Sequence, residues 1–133
     1  MPKKHLWAIL LTAWLIVITI LSLYSFDHDV KVEFEVTFLD KTAHVVFHFV
    51  LVLLACLFIR ETTKGTIPLV RTTFIALVFS VAYGILIEVL QYSLTKNRVA
   101  EVADIMANTI GGLLAIIVLK WYFSKKSPLK WKF

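Results

Sequence analysis

Four apolar runs, 6–24, 42–59, 72–94 and 105–123, leave this chain few ways to fold. A hydrocarbon core about 30 Å thick takes about 20 helical residues to cross, and each run reaches or approaches that length. The expected fold is an all-α membrane protein, a four-transmembrane-helix bundle. Composition agrees: 59% of the 133 residues are apolar and only 17% charged, where a soluble domain is about a quarter charged. The length suits a single domain, 1–133, ending in a basic, aromatic tail at 124–133. The first run follows Lys3 and Lys4, as a signal peptide would. It is longer than a typical h-region and has no small-residue cleavage site after it, so it reads as a permanent helix. Cys56 is the sole cysteine and lies inside the second run, which excludes an intramolecular disulfide.

The charges orient the bundle. With four crossings, both termini and the middle loop share one side. That side holds Lys3, Lys4, Arg60, Lys64, Arg71, Lys120, Lys125, Lys126, Lys130 and Lys132 against one acid, Glu61. The other side holds Lys31, Lys41, Lys96 and Arg98 together with seven acids, among them Asp40, Glu101 and Asp104. The bias in lysine and arginine places both termini in the cytoplasm. The net charge of +5 is thus a topology signal and not a nucleic-acid footprint. In the tail, Trp131 sits between Lys130 and Lys132 and Phe133 follows, which suggests an interfacial anchor attracted to anionic inner-leaflet lipid. In the first outer loop, Val30, Val32, Phe34, Val36 and Phe38 alternate with polar residues. This strand-like period predicts an extended segment lying along the outer interface.

The polar residues inside the runs are expected in the outer part of the membrane. Asp40, His44 and His48 follow i, i+4, i+8 spacing on one stripe of the second helix. Ser80, Gly84 and Glu88 share a stripe on the third, with Gln91 three residues on. Asp104, Asn108 and Gly112 share one on the fourth. At 1.5 Å per residue, His44 and Asp104 lie at the outer mouth, His48 about 6 Å deeper, and Glu88 about 9 Å from its helix end. His48, Glu88 and Asn108 are therefore expected to meet beneath His44, Asp104 and Arg98. Ala107, Gly111 and Ala115 repeat every four residues, the pattern that lets membrane helices approach closely. The third and fourth helices are expected to pack through these and the other glycines as a tight hairpin.

Each group also has a plainer reading. Asn108 and Gln91 suit interhelical hydrogen bonds. Glu88 suits a structural acid paired with His48 or Arg98 as well as a functional one, although intramembrane ionisable groups lean toward function. Lys96 and Glu101 read as solvated loop charge. Gly84, Gly111 and Gly112 are packing residues in either case.

Asp40, Lys41 and His44 resemble the D-K-x-x-H motif of the VanZ-like family. Glu88, Gln91, Arg98, Asp104, Asn108 and Gly111 resemble its E-x-x-Q … R … D-x-x-x-N-x-x-G signature. Together the two motifs cover 40–112. His48 stands where that family more often has an aromatic residue, so no role carries over to it. The resemblance implies a small, multi-pass protein of the bacterial cytoplasmic (inner) membrane, of the type linked to low-level resistance to teicoplanin-like glycopeptides. It brings no established reaction.

Three functions compete with a purely structural lock. The first is an outer-leaflet site binding an anionic amphiphile, either a membrane lipid or a lipid-linked envelope precursor. Arg98 and Lys41 would hold the headgroup and Glu88, His44, Asp104 and Asn108 would orient it. The second is an enzyme acting on an envelope lipid through His44, Glu88 and Asp104. Their spacing matches no metal motif, and Cys56 and Ser80 lie too deep to pair with a base, so no metal, cofactor or nucleophile is expected. The third, proton transport through Glu88 and His48, lacks polar residues in the cytoplasmic half and would need a homo-oligomer. Binding ranks above the other two.

Overall fold

The computed structural model describes residues 5–24, 33–94, 101–124 and 131. Four helices account for nearly all of them: α1 (Leu6–Leu23), α2 (Glu33–Thr62), α3 (Leu69–Leu94) and α4 (Val102–Ser124). All four are long and apolar enough to cross a membrane, and no strand occurs among the described residues. A helix closes its own backbone hydrogen bonds, the condition for crossing hydrocarbon.

The same principle corrects the reading of the first loop. Glu33 to Phe38 extend α2 at its N-terminal end as helix, not as an extended strip. An isolated strand leaves its donors and acceptors unpaired, whereas about two more helical turns need no partner. Residues 25–32 of that loop lie outside the described residues.

α2 is the central element. It packs against all three other helices, most extensively against α4, while α1 touches α2 and α3. The seam between α2 and α4 is made by Gly111. A Cβ there would overlap the carbonyl oxygen of Val45 and lie 3.1 Å from the Phe49 nitrogen. Ala107 and Ala115, on the same stripe, are also buried. The small-residue face of α4 therefore serves α2, and not α3 as the hairpin expectation had it. Helical spacing defines a face but does not say which neighbour it meets. α3 meets α4 elsewhere, through Leu77 against Gly112 and Gly84 against Asn108.

α1 is joined to the bundle by side chains reaching backbone carbonyls. The Trp14 indole donates to Phe47 O at 3.0 Å, the Tyr83 hydroxyl to Leu15 O at 2.9 Å, and the Gln91 amide to Ser22 O at 2.7 Å. Such bonds suit apolar surroundings, where an unpaired carbonyl is costly. Between α2 and α3 the chain turns sharply. Gly65 N donates to Arg60 O and Lys64 N to Glu61 O, with Lys64 at φ 51° and Gly65 at φ 70°. This Schellman closure caps α2, and Pro68 then precedes the first turn of α3.

The bundle has two dissimilar ends. One, where α1 and α3 finish and α2 and α4 begin, buries His44, His48, Ser80, Glu88, Gln91, Asp104 and Asn108. The other holds an apolar core of Val52, Ala55, Cys56, Leu69, Ala76, Ala115, Leu119 and Phe123. Large apolar residues such as Ile9, Phe74 and Ile117 face outward. Polar groups inside and apolar groups outside is the arrangement that lipid favours. Trp131 closes the apolar end. Its indole donates to Ile67 O at 2.9 Å, packs edge-on against Phe123 and carries the Arg60 guanidinium 5.6 Å from its ring centre. Trp131, which the tail's composition places at the lipid interface, is itself buried against the protein. The tail lysines lie outside the described residues.

Candidate functional site

Helical spacing on α2 aims Asp40, Lys41 and His44 toward the start of α4, where Asp104 and Asn108 stand one turn apart. His44 is the hub. Its Nδ1 lies 2.9 Å from Asn108 Oδ1, and since an amide oxygen only accepts, Nδ1 carries the proton. Its Nε2 faces two carboxylates, 3.8 Å from Asp104 Oδ2 and 4.0 Å from Asp40 Oδ1. The side chains of His44 and Asp104 are 7% and 9% exposed, and that of Asp40 is 29% exposed. The group is thus sealed on its inner side and reachable through Asp40.

Lys41 bridges the rim. Its ammonium pairs with Asp104 Oδ1 and with Glu101 Oε2. Asp104 therefore presents one oxygen to Lys41 and the other toward His44. Glu101, read as solvated loop charge, is part of the cluster: its side chain meets Lys41 and its backbone N–H donates to Glu88 Oε2 at 3.4 Å. The signal available for Glu101 was its position three residues before Asp104, immediately before α4, where its carbonyl accepts from the Asp104 N–H at 3.1 Å.

Deeper, Gly84 makes room for two of the polar groups. A Cβ at Gly84 would lie 2.5 Å from Asn108 Nδ2 and 3.1 Å from His48 Cε1. His48 Nδ1 shares a hydrogen bond of 2.7 Å with Ser80 Oγ. This corrects the expectation that no serine stands beside a base. α2 begins at Glu33 rather than at residue 42, so His48 lies 15 residues from the start of its helix, against 14 residues from Ser80 to the end of α3. Both are buried.

The expected meeting of His48, Glu88 and Asn108 is only partly realised. His44, not His48, bonds Asn108. Glu88 is buried, away from lipid, and contacts the start of α4 through the Glu101 N–H. Of His44, Glu88 and Asp104, the candidates for an enzymatic role, His44 and Asp104 stand together, with Asp40 as the third group beside them. Gln91 reaches Ser22 at the end of α1. Arg98 lies outside the described residues.

A family model described as VanZ/LLP1 matches residues 5–123. The chain belongs to the VanZ/LLP1 family. The match runs from the start of α1 to the last turn of α4, so all four helices of this multi-pass membrane protein, and every described residue of the polar cluster, belong to the VanZ/LLP1 unit. Neither a curated protein nor a solved structure matches the chain.

Proposed function

We propose that the polar end of the bundle opens to the outer leaflet of a bacterial cytoplasmic membrane, with both termini cytoplasmic, and binds the anionic headgroup of a lipid or lipid-linked envelope precursor. The loop charges supply the orientation. The observation that carries the binding reading is Lys41: its side chain is 26% exposed, and its ammonium is held at the rim by the exposed Glu101 and the buried Asp104. Such a cation is positioned before a ligand arrives, which lowers the ordering cost of binding. A headgroup phosphate would replace Glu101 as its partner while Asp104 keeps it in place. Arg98 is the second cation assigned to the headgroup. His44 and Asn108 would support the rim from below, and antibiotic protection of the teicoplanin type would follow from altered access to envelope precursor.

Lipid retained by gently extracted protein tests the reading. Lys41→Ala and Arg98→Ala should each lose an anionic lipid that the wild type carries, and should lose any teicoplanin protection while inserting normally. Unchanged lipid content and unchanged protection in both variants would remove the proposal.

A structural lock is the second reading, and the inner pairs favour it. His48–Ser80, His44–Asn108 and Gln91–Ser22 each tie two helices together. If locking is the whole role, Asn108→Ala should lose stability and protection in the same proportion.

A further inference from the structure

Three electron-pair donors face one another: His44 Nε2, Asp104 Oδ2 and Asp40 Oδ1. All three ligand atoms lie within 4.8 Å of one another. With Nδ1 donating to Asn108, the neutral ring has its lone pair on Nε2, toward the carboxylates. Three facing lone pairs repel, and either a proton on Nε2 or a metal cation between them relieves the repulsion.

We propose that Asp40, His44 and Asp104 form a divalent-cation site for a borderline ion of the zinc or manganese class, with Asn108 as the residue that positions His44. The distances suit such an ion. Bonds of about 2.0–2.2 Å from each ligand limit the separation of two donors to about 4.4 Å. The two histidine–carboxylate separations, 3.8 and 4.0 Å, already fall inside that limit, and the two carboxylates, which lie within 4.8 Å of each other, need close by no more than about 0.4 Å to meet it. The donor set excludes a preference for magnesium or calcium, which take all-oxygen shells; one imidazole and two carboxylates suit zinc or manganese. Two carboxylates also match the ion's double charge. Three protein ligands leave a further position open, on the exposed side of Asp40, for water or an anionic group.

Asn108 acts as outer-shell partners of ligating histidines do, fixing the tautomer and the ring plane. Lys41 is the competing cation. Its ammonium sits on the other oxygen of Asp104, and it retains Glu101 as a partner when an ion draws Asp104 toward His44. The site therefore makes a prediction opposite in sign to that of amphiphile binding. Removing Lys41 weakens a headgroup site but strengthens a metal site. The metal site stands on its own geometry and holds whether or not an amphiphile binds.

The test uses tag-free full-length protein in phosphatidylcholine nanodiscs, stripped with chelator and titrated with Co2+ while visible absorption is followed. Wild type should bind one Co2+ per chain, displaceable by Zn2+. His44→Ala should abolish the spectrum, and so should Asp40→Asn, an isosteric change at a partly exposed position that keeps the fold. Asn108→Ala should bind about 10- to 100-fold more weakly, and Lys41→Gln more tightly than wild type. Absence of a Co2+ spectrum in the folded wild type would overturn the proposal. So would equal binding by wild type and Asp40→Asn, or weaker binding by Lys41→Gln.

Discussion

Gly84 on α3 lies directly against the side-chain amide of Asn108 on α4, and the missing Cβ is what lets Asn108 reach His44 on α2. Three helices are thereby set by one absent methyl group. Gly84→Ala should move Asn108 and also press on His48 Cε1. Overpacking of this kind costs about 1–3 kcal/mol, and the His44–Asn108 bond should be lost with it. Thermal unfolding in detergent checks the first effect. The His44 ring resonances check the second, and an unshifted His44 in Gly84→Ala would contradict the contact.

Gly111 and Gly112 are neighbours in sequence but should not be equivalent. A Cβ on Gly111 meets the Val45 carbonyl and the Phe49 nitrogen, which belong to the α2 backbone. A Cβ on Gly112 meets Leu77 Cδ1 and Val52 Cγ2, the ends of side chains that can rotate away. Gly111→Ala should lower the melting temperature well below that of Gly112→Ala. A reversed order would place the close helix approach on the wrong pair.

The two acids around Lys41 differ in how much they need it. Glu101 is 54% exposed, and losing an exposed ion pair costs about 0–1 kcal/mol. Asp104 is 9% exposed, and a buried carboxylate deprived of its partner costs about 1–3 kcal/mol or more. Lys41→Gln should therefore destabilise the chain more than Glu101→Gln, as read by thermal unfolding at fixed pH and salt. Equal losses would mean that Asp104 draws its stability from another group.

At the apolar end, Trp131 combines a hydrogen bond to Ile67 O with packing on Phe123 and Arg60. Trp131→Phe keeps an aromatic surface but removes the donor, at a cost of about 1 kcal/mol. Trp131→Ala removes both and should cost more. Tryptophan fluorescence together with unfolding of the two variants checks the order, and a neutral Trp131→Ala would show that the indole adds nothing to the bundle.

By itself the sequence determined the four spans, because unbroken apolar runs have a single low-energy backbone conformation in lipid. It also determined which polar residues share a face, because i, i+4 spacing places Asp40 and His44 on one stripe and Asp104 and Asn108 on another. Only the tertiary structure decided which stripes meet. Every helix here is apolar around most of its surface, so hydrophobicity does not select a neighbour; close backbone approach and hydrogen-bond complementarity do. That choice gave Gly111 to α2, set His48 beside Ser80, joined Asp104 to His44 and Asp40 and drew Glu101 onto Lys41. Residues 33–38 were decided in the same way: their alternation fits a strand, but with no strand among the described residues to pair with, the backbone satisfies itself as helix.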